Sequence, residues 1–277
     1  MKLGLANAKH DAARHESAVS VDNRDGGGAF VIVCDHASNF MPLEFRGLGL
    51  THDDLQRHIA WDPGALGVSQ VMSKNLNAPL IHSSASRLLI DCNRPLDAYD
   101  LIAQKSESTD IAGNIGLSAT QRADRIARFY DPFHSAIEDV VLTKTAAGQR
   151  PGFIAVHSFN PTYRGLSRPW EIGIIHDDDA QWALEMVLFL KAETGLTVGI
   201  NEPYSPQDRV YFTLERHARS RNLPAVMIEI RNDEITTPQE QTKWGDLLSR
   251  VAQAGFKELN AAGAGHAQAR QARAITG

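Results

Sequence analysis

The sequence predicts an α/β fold, with one domain built on a central mixed, mostly parallel sheet flanked by helices. Short apolar runs alternate with helix-period stretches in the order β, α, β, β, α, β, β, α, β, α, β, α. Several of these runs are apolar without alternation, as strands buried on both faces should be. Polar, chemistry-bearing residues gather where the runs end, which is where ligand crevices lie in α/β sheets.

The first strand is expected over 29–35, after the breaker Asp25-Gly26-Gly27-Gly28. Further strands are expected over 79–83, 87–92, 152–157, 171–176, 197–201 and 224–230, most bounded by Gly, Pro or Asn. Gly64 to Leu76 reads as a helix. Ser118-x-x-Gln121 has the form of a capping box and opens a stretch with Ile126, Phe129, Phe133, Ile137 and Val141 at helical spacing. Ala180 to Glu193 and Pro238 to Ala254 supply two more helices. Residues 1–28 are expected to form a peripheral segment, 29–258 the domain, and 259–277 a flexible Ala-, Gly- and Gln-rich tail.

A chain of 277 residues with 43% hydrophobic and 22% charged residues can bury a sizeable core. A net charge of −5 gives no reason to expect nucleic acid or an anionic membrane as partner. No apolar run is long enough to span a bilayer, and Met1 to Ser20 lacks an apolar signal core. The expectation is a cytoplasmic protein acting on a small molecule, as a monomer or small homo-oligomer. Cys34 and Cys92 both fall in apolar runs, and no disulfide is expected between them.

Four run ends carry candidate chemistry. Phe30 to Cys34 leads into Asp35-His36, Leu88 to Ile90 into Asp91-Cys92-Asn93-Arg94, and Phe153 to Val156 into His157-Ser158. Ala225 to Ile228 leads into Glu229-Ile230-Arg231. A hydrolytic zinc site uses three protein ligands and leaves one position open. His36 and His157 are two candidates. Asp62, before Pro63-Gly64, is the third, although an Asp at that place also reads as a helix N-cap. Asp35 is either an alternative ligand or a partner that orients a histidine. Glu229 closes an otherwise apolar strand, so it needs a partner or a function. It is either a proton carrier or half of an ion pair with Arg231, which shares its strand face. Arg87, Asn93 and Arg94 suit a substrate carboxylate; the plainer reading of Arg94 is a solvated residue at the Pro95 turn. No Gly-x-Ser-x-Gly elbow, phosphate loop or His-Glu-x-x-His motif is present. Asp177-Asp178-Asp179 reads as a solvated turn, and His217 as a structural residue.

Together, Cys34 to Asn39, Asp91 to Pro95, Val156 to Phe159, Asn201 to Ser205, Thr213 to Ala218 and Glu229 to Asp233 resemble segments of the N-formylglutamate amidohydrolase family, over about residues 30–255. That family is itself similar to zinc carboxypeptidases and aspartoacylases. The resemblance implies one zinc ion and hydrolysis of an N-acylated acidic amino acid, N-formyl-L-glutamate first among them. It assigns His36 and His157 as zinc ligands and Glu229 as the general base. Asn93 and Arg94 would hold the substrate carboxylate, with Arg87 and Arg231 as further anion contacts. One departure stands out. Carboxypeptidases place a Glu ligand three residues after the first His, and Asn39 is there instead; the resemblance implies Asp62 as the third ligand, since similar family members place an Asp or His near this point. A zinc hydrolase for another N-acyl amino acid or small peptide fits the same residues, as does a non-catalytic carboxylate-binding protein.

Overall fold

The computed structural model describes residues 18–275. Eleven strands and seven helices carry the fold among these residues. Strands β1 (Val19–Asp22), β2 (Phe30–Cys34), β3 (Leu80–Ser83), β6 (Gly152–Phe159), β9 (Ile172–Ile175), β10 (Val198–Ile200) and β11 (Ala225–Arg231) form one seven-stranded sheet in the order β1-β3-β2-β6-β11-β9-β10. β3, β2, β6 and β11 run parallel, while β1 and β9 are antiparallel to their neighbours β3 and β11. Two hairpins lie outside the sheet: β4 (Lys105–Ser106) with β5 (Thr109–Asp110), and β7 (Thr162–Tyr163) with β8 (Leu166–Ser167).

The helices are α1 (His52–Gln56), α2 (Ala65–Leu76), α3 (Ala119–Arg125), α4 (Asp131–Ala146), α5 (Gln181–Glu193), α6 (Phe212–His217) and α7 (Pro238–Ile275). The capping box expected at Ser118 and Gln121 is formed, and a π-helical turn over Ile126–Tyr130 joins α3 to α4. Alternate strand residues feed two cores. Val31, Val33, Phe153, Ala155 and Met227 pack with Phe133, Ile137 and Val141 of α4. Phe30, Ile32, Ile154, Val156, Val226 and Ile228 pack with Val68 and Met72 of α2, Trp182 and Met186 of α5, and Trp244 and Leu248 of α7. Burial on both faces explains why these strands read as unbroken apolar runs.

One strand expectation is corrected. Residues 87–92 are a buried turn, not a strand. Leu89 N–H donates to Ser86 O at 3.0 Å and Asp91 N–H to Leu101 O at 2.8 Å, while Leu88, Leu89 and Ile90 enter the first core. A short apolar run signals burial, and periodicity alone does not say which backbone delivers it. The helix expected over 238–254 continues to Ile275, through much of the segment expected as a tail. Within the segment expected to be peripheral, β1 adds a strand to the sheet edge. Residues 1–17 of that segment, and 276–277 of the tail, lie outside the described residues. Among the described residues, no helix is long and apolar enough to cross a membrane.

Candidate metal and hydrolytic site

The carboxyl ends of the parallel strands open onto a cavity of about 590 Å³, lined by His36, Asp62, Arg87, Asp91, His157 and Glu229 among others. Each side chain arrives by a short local route. His36 follows β2 by two residues. His157 lies in β6 and pairs in register with Glu229 of β11, so both project from the same sheet face. Asp62 reaches in from the turn before α2, where its N–H donates to His36 O at 2.9 Å. Gly64 caps α2 with φ of 81°. A Cβ on it would lie 2.4 Å from Ile235 O, so the turn requires glycine. The Asp62 carboxylate makes no cap hydrogen bond, which removes the N-cap reading.

Asp62 Oδ2 instead lies 3.3 Å from His36 Nδ1 and 2.9 Å from His157 Nδ1. Donor atoms of the three residues fall within 4.8 Å of one another, and all three side chains are buried. In a tetrahedral zinc site with bonds of about 2.0–2.1 Å, neighbouring ligand atoms are about 3.3 Å apart. The spacing therefore fits a zinc ion held by two Nδ1 atoms and one carboxylate oxygen.

The far ring nitrogens strengthen that fit. His36 Nε2 bonds Asp91 Oδ1 at 2.7 Å. His157 Nε2 faces Asp35 Oδ2 at 3.2 Å, close but out of line for a hydrogen bond. The Thr213 hydroxyl donates to the other Asp35 oxygen. Each histidine thus turns Nδ1 inward and Nε2 toward a buried carboxylate, an arrangement that fixes ring orientation and tautomer in metal sites. Asp35 faces the far nitrogen of His157 and lies outside the His36–Asp62–His157 group. Asp91, which the sequence reading left without a role, is the partner of His36 Nε2; its signal was its place two residues before Asn93-Arg94.

The electrostatics of the metal-free protein follow. Burial pushes the Asp62 carboxyl up, but His36 charge and the bonds from both histidines outweigh it and hold it well below the ordinary range. Burial and Arg87 push His36 down, while Asp91 and Asp62 outweigh them and raise it. Burial also lowers His157, yet Asp35 and Asp62 lift it well above its usual value.

Glu229 behaves differently. It is 4% exposed, and its Oε2 is buried without a hydrogen-bond partner. Burial, with the Asp62 charge, raises it to about 7 against the opposing pull of His157, His36 and Arg87. A carboxyl tuned near neutral pH can both accept and return a proton. The alternative ion pair with Arg231 does not form. Arg231 Nε bonds Asp233 at 2.7 Å and Nη2 bonds Glu234 at 2.9 Å. Arg231, expected as a substrate contact, is not among the residues lining the cavity: at the strand end, two nearer carboxylates capture it.

The other expected anion contacts divide. Arg87 is committed to the site's own acids, 3.2 Å from Asp62 Oδ1 and 3.3 Å from Asp91 Oδ2. The Asn93 amide bonds Val210 O and accepts from Thr213 N–H, so it secures the loop before α6. Arg94 lines the cavity, with Nε on Asp100 Oδ2 at 3.1 Å and Nη1 on backbone carbonyls of Asn93 and Arg209. His217 is the structural residue expected, buried against His134 with their ring nitrogens 2.8 Å apart. Asp177 and Asp178 pair with Arg219.

A gene product of Agrobacterium tumefaciens of known crystal structure is 39% identical, with a TM-score of 0.86 over 89% of this chain and 97% of that one. An N-formylglutamate amidohydrolase from Ralstonia eutropha shares the fold at 19% identity, with a TM-score of 0.64 over 87% of this chain and 99% of that one. No curated protein matches the chain significantly. The family model described as N-formylglutamate amidohydrolase matches residues 28–236. The chain belongs to the N-formylglutamate amidohydrolase family.

Proposed function

We propose that the protein is a zinc-dependent amidohydrolase that cleaves N-formyl-L-glutamate to formate and L-glutamate. The observation that carries this reading is the inward-facing His36–Asp62–His157 cluster beside a Glu229 carboxyl with an unpartnered oxygen. Family membership supports the substrate class, as does the activity named for the Ralstonia eutropha neighbour.

His36, Asp62 and His157 would hold the metal. A zinc ion there supplies Lewis acidity toward the scissile carbonyl and a water acidified toward neutrality. Asp91 and Asp35 keep the two imidazoles turned inward. Glu229 takes the proton of the water that attacks the formyl carbon. As the C–N bond breaks, Glu229 delivers that proton to the departing amine, which leaves as the free amino acid. Arg94 offers a cation to a substrate carboxylate, while Arg87 balances Asp62 and Asp91.

The test is formate and amine release from a panel of N-formyl and N-acetyl amino acids, with and without added zinc. N-formyl-L-glutamate is expected to turn over best, with dependence on zinc. Preferential release of acetate would move the substrate to another N-acyl amino acid. Carboxylate binding without any hydrolysis, unchanged by chelation, would replace the enzyme with a binding protein.

A further inference from the structure

The cavity holds a buried cation that the hydrolytic machinery leaves unused. Arg168 follows β8 directly. Arg164 and Gly165, with φ of 51° and 80°, make the tight turn between β7 and β8, as a two-residue primed hairpin requires. The returning chain is fixed by Arg168 N–H on Pro161 O at 2.8 Å. This places Arg168 beside the end of β6, just beyond His157, and on the cavity wall.

Arg168 is 8% exposed. Its guanidinium carbon lies 4.7 Å from the ring centres of Tyr163 and Tyr204 and 5.6 Å from that of Phe159. Nη1 donates to the Tyr204 hydroxyl at 3.1 Å and to Asn160 O at 3.5 Å. Among the described residues, no carboxylate pairs with it. Of the other arginines on the cavity wall, Arg87 is paired with both Asp62 and Asp91, Arg94 leans on Asp100 through Nε alone, and Arg164 is exposed to solvent. Burying a charge without a counter-ion is costly, and aromatic faces offset only part of that cost. A cation left in this state on a cavity wall is poised for an anion that comes and goes.

Its surroundings say where that anion would sit. Tyr204, which accepts from Arg168, lines the same cavity as Glu229, so an anion on Arg168 shares that cavity with the proton carrier. N-formylglutamate carries two carboxylates. With Arg87 committed to Asp62 and Asp91, the positions expected from the sequence leave Arg94 alone for both. We propose that Arg168 binds one carboxylate of an acidic N-acyl amino acid through its guanidinium fork, a ligand assignment that rests on the hydrolase reading above.

A purely structural role, as an aromatic clamp, makes a different prediction, because a clamp is indifferent to substrate charge. The experiment compares wild type and Arg168→Met, both loaded with zinc, on N-formyl-L-glutamate and its two monoamides. Losing a bidentate, charge-assisted contact should raise KM for the diacid roughly 10- to 100-fold, with kcat affected less. Wild type should prefer the diacid over both monoamides, and the variant should lose that preference for one of them. Which monoamide this is identifies the carboxylate held. Arg168→Met keeping both preferences would overturn the proposal. Glutarate binding to the metal-free full chain, followed by calorimetry, tests the residue without turnover. It should weaken by a similar factor in Arg168→Met, and unchanged affinity would overturn the proposal. If wild type hydrolyses no N-formyl amino acid, the reaction reading falls while the glutarate comparison still decides the role of Arg168. Should the Met variant fail to fold, Arg168→Lys replaces it. A point ammonium lacks the fork, so glutarate should bind about tenfold more weakly, and equal affinity would overturn the assignment.

Discussion

Replacing Glu229 by Gln should make the metal-free protein more stable while sharply slowing turnover of the zinc-loaded one. Glu229 rises in the fold from the ordinary 4.5 to about 7, because its charge is buried with Oε2 unpartnered. A carboxyl raised in this way binds its proton more tightly folded than unfolded. The native state therefore holds more protons between those two values, and stability falls as pH rises through that window. At about 1.4 kcal/mol per pKa unit, the gap amounts to about 3 kcal/mol at pH 8 and under about 1 kcal/mol at pH 5. A glutamine keeps nearly the same shape and carries no charge at any pH. Relative to wild type, Glu229→Gln should gain little at pH 5 and as much as about 3 kcal/mol at pH 8. For a domain of this size, that corresponds to a melting temperature raised by about 6–12 °C. Calorimetry or urea denaturation of both chelated proteins at the two pH values measures it. A stability difference that does not grow with pH, or a variant weaker than wild type at pH 8, would refute the claim of an unpaired buried charge. With zinc bound, the nearby cation stabilises the carboxylate and the gain should shrink. Turnover of the zinc-loaded variant should fall roughly 10²- to 10⁴-fold, the usual contribution of a positioned acid–base group.

Other consequences concern the metal shell and the loop it leans on. Asp91→Asn removes the carboxylate that orients His36 and should weaken zinc about 10- to 100-fold in a chelator competition; wild-type affinity would place the metal elsewhere. His36 and His157 both stand above their ordinary values in the metal-free protein, and zinc requires them neutral. Binding should therefore release protons, and apparent affinity should rise between pH 6 and pH 8; a flat profile would contradict the ligand set. Asn93→Ala leaves Thr213 N–H and Val210 O without their partner. It should cost about 2–3 kcal/mol in urea denaturation, whereas a large rise in KM with unchanged stability would return Asn93 to the substrate. Arg94→Ala should chiefly raise KM, and an unchanged KM would leave the carboxylates to other residues.

Much of this site is legible in the sequence because the strands beneath it are buried on both faces. An unbroken apolar run ending in His36, His157 or Glu229 announces a polar group held at a sheet edge. The carboxylate of Asp62 is harder to see. Asp-Pro-Gly before a helix is the signal of an N-cap, and only the family resemblance and the absence of Glu at Asn39 favour a ligand. The role of Asp91 is hidden by the turn at residues 87–92, where burial imitates a strand. Arg231 shows the limit of strand parity. It shares the face of Glu229, but Asp233 and Glu234 just beyond the strand capture its guanidinium. Arg168 left no periodic trace, since its hairpin is built from strands of two residues each. That its charge goes uncompensated emerges only when the partners of every arginine lining the cavity are known.

The central claim is a single zinc held by His36, Asp62 and His157, with both histidines ligating through Nδ1. Anomalous diffraction at the zinc edge, from crystals of the zinc-reconstituted protein, tests it most directly. The account predicts one peak about 2.0–2.2 Å from His36 Nδ1, His157 Nδ1 and an Asp62 oxygen, with both Nε2 atoms still facing Asp91 and Asp35. A peak bonded through Nε2, a third ligand other than Asp62, or no zinc between these residues would contradict it.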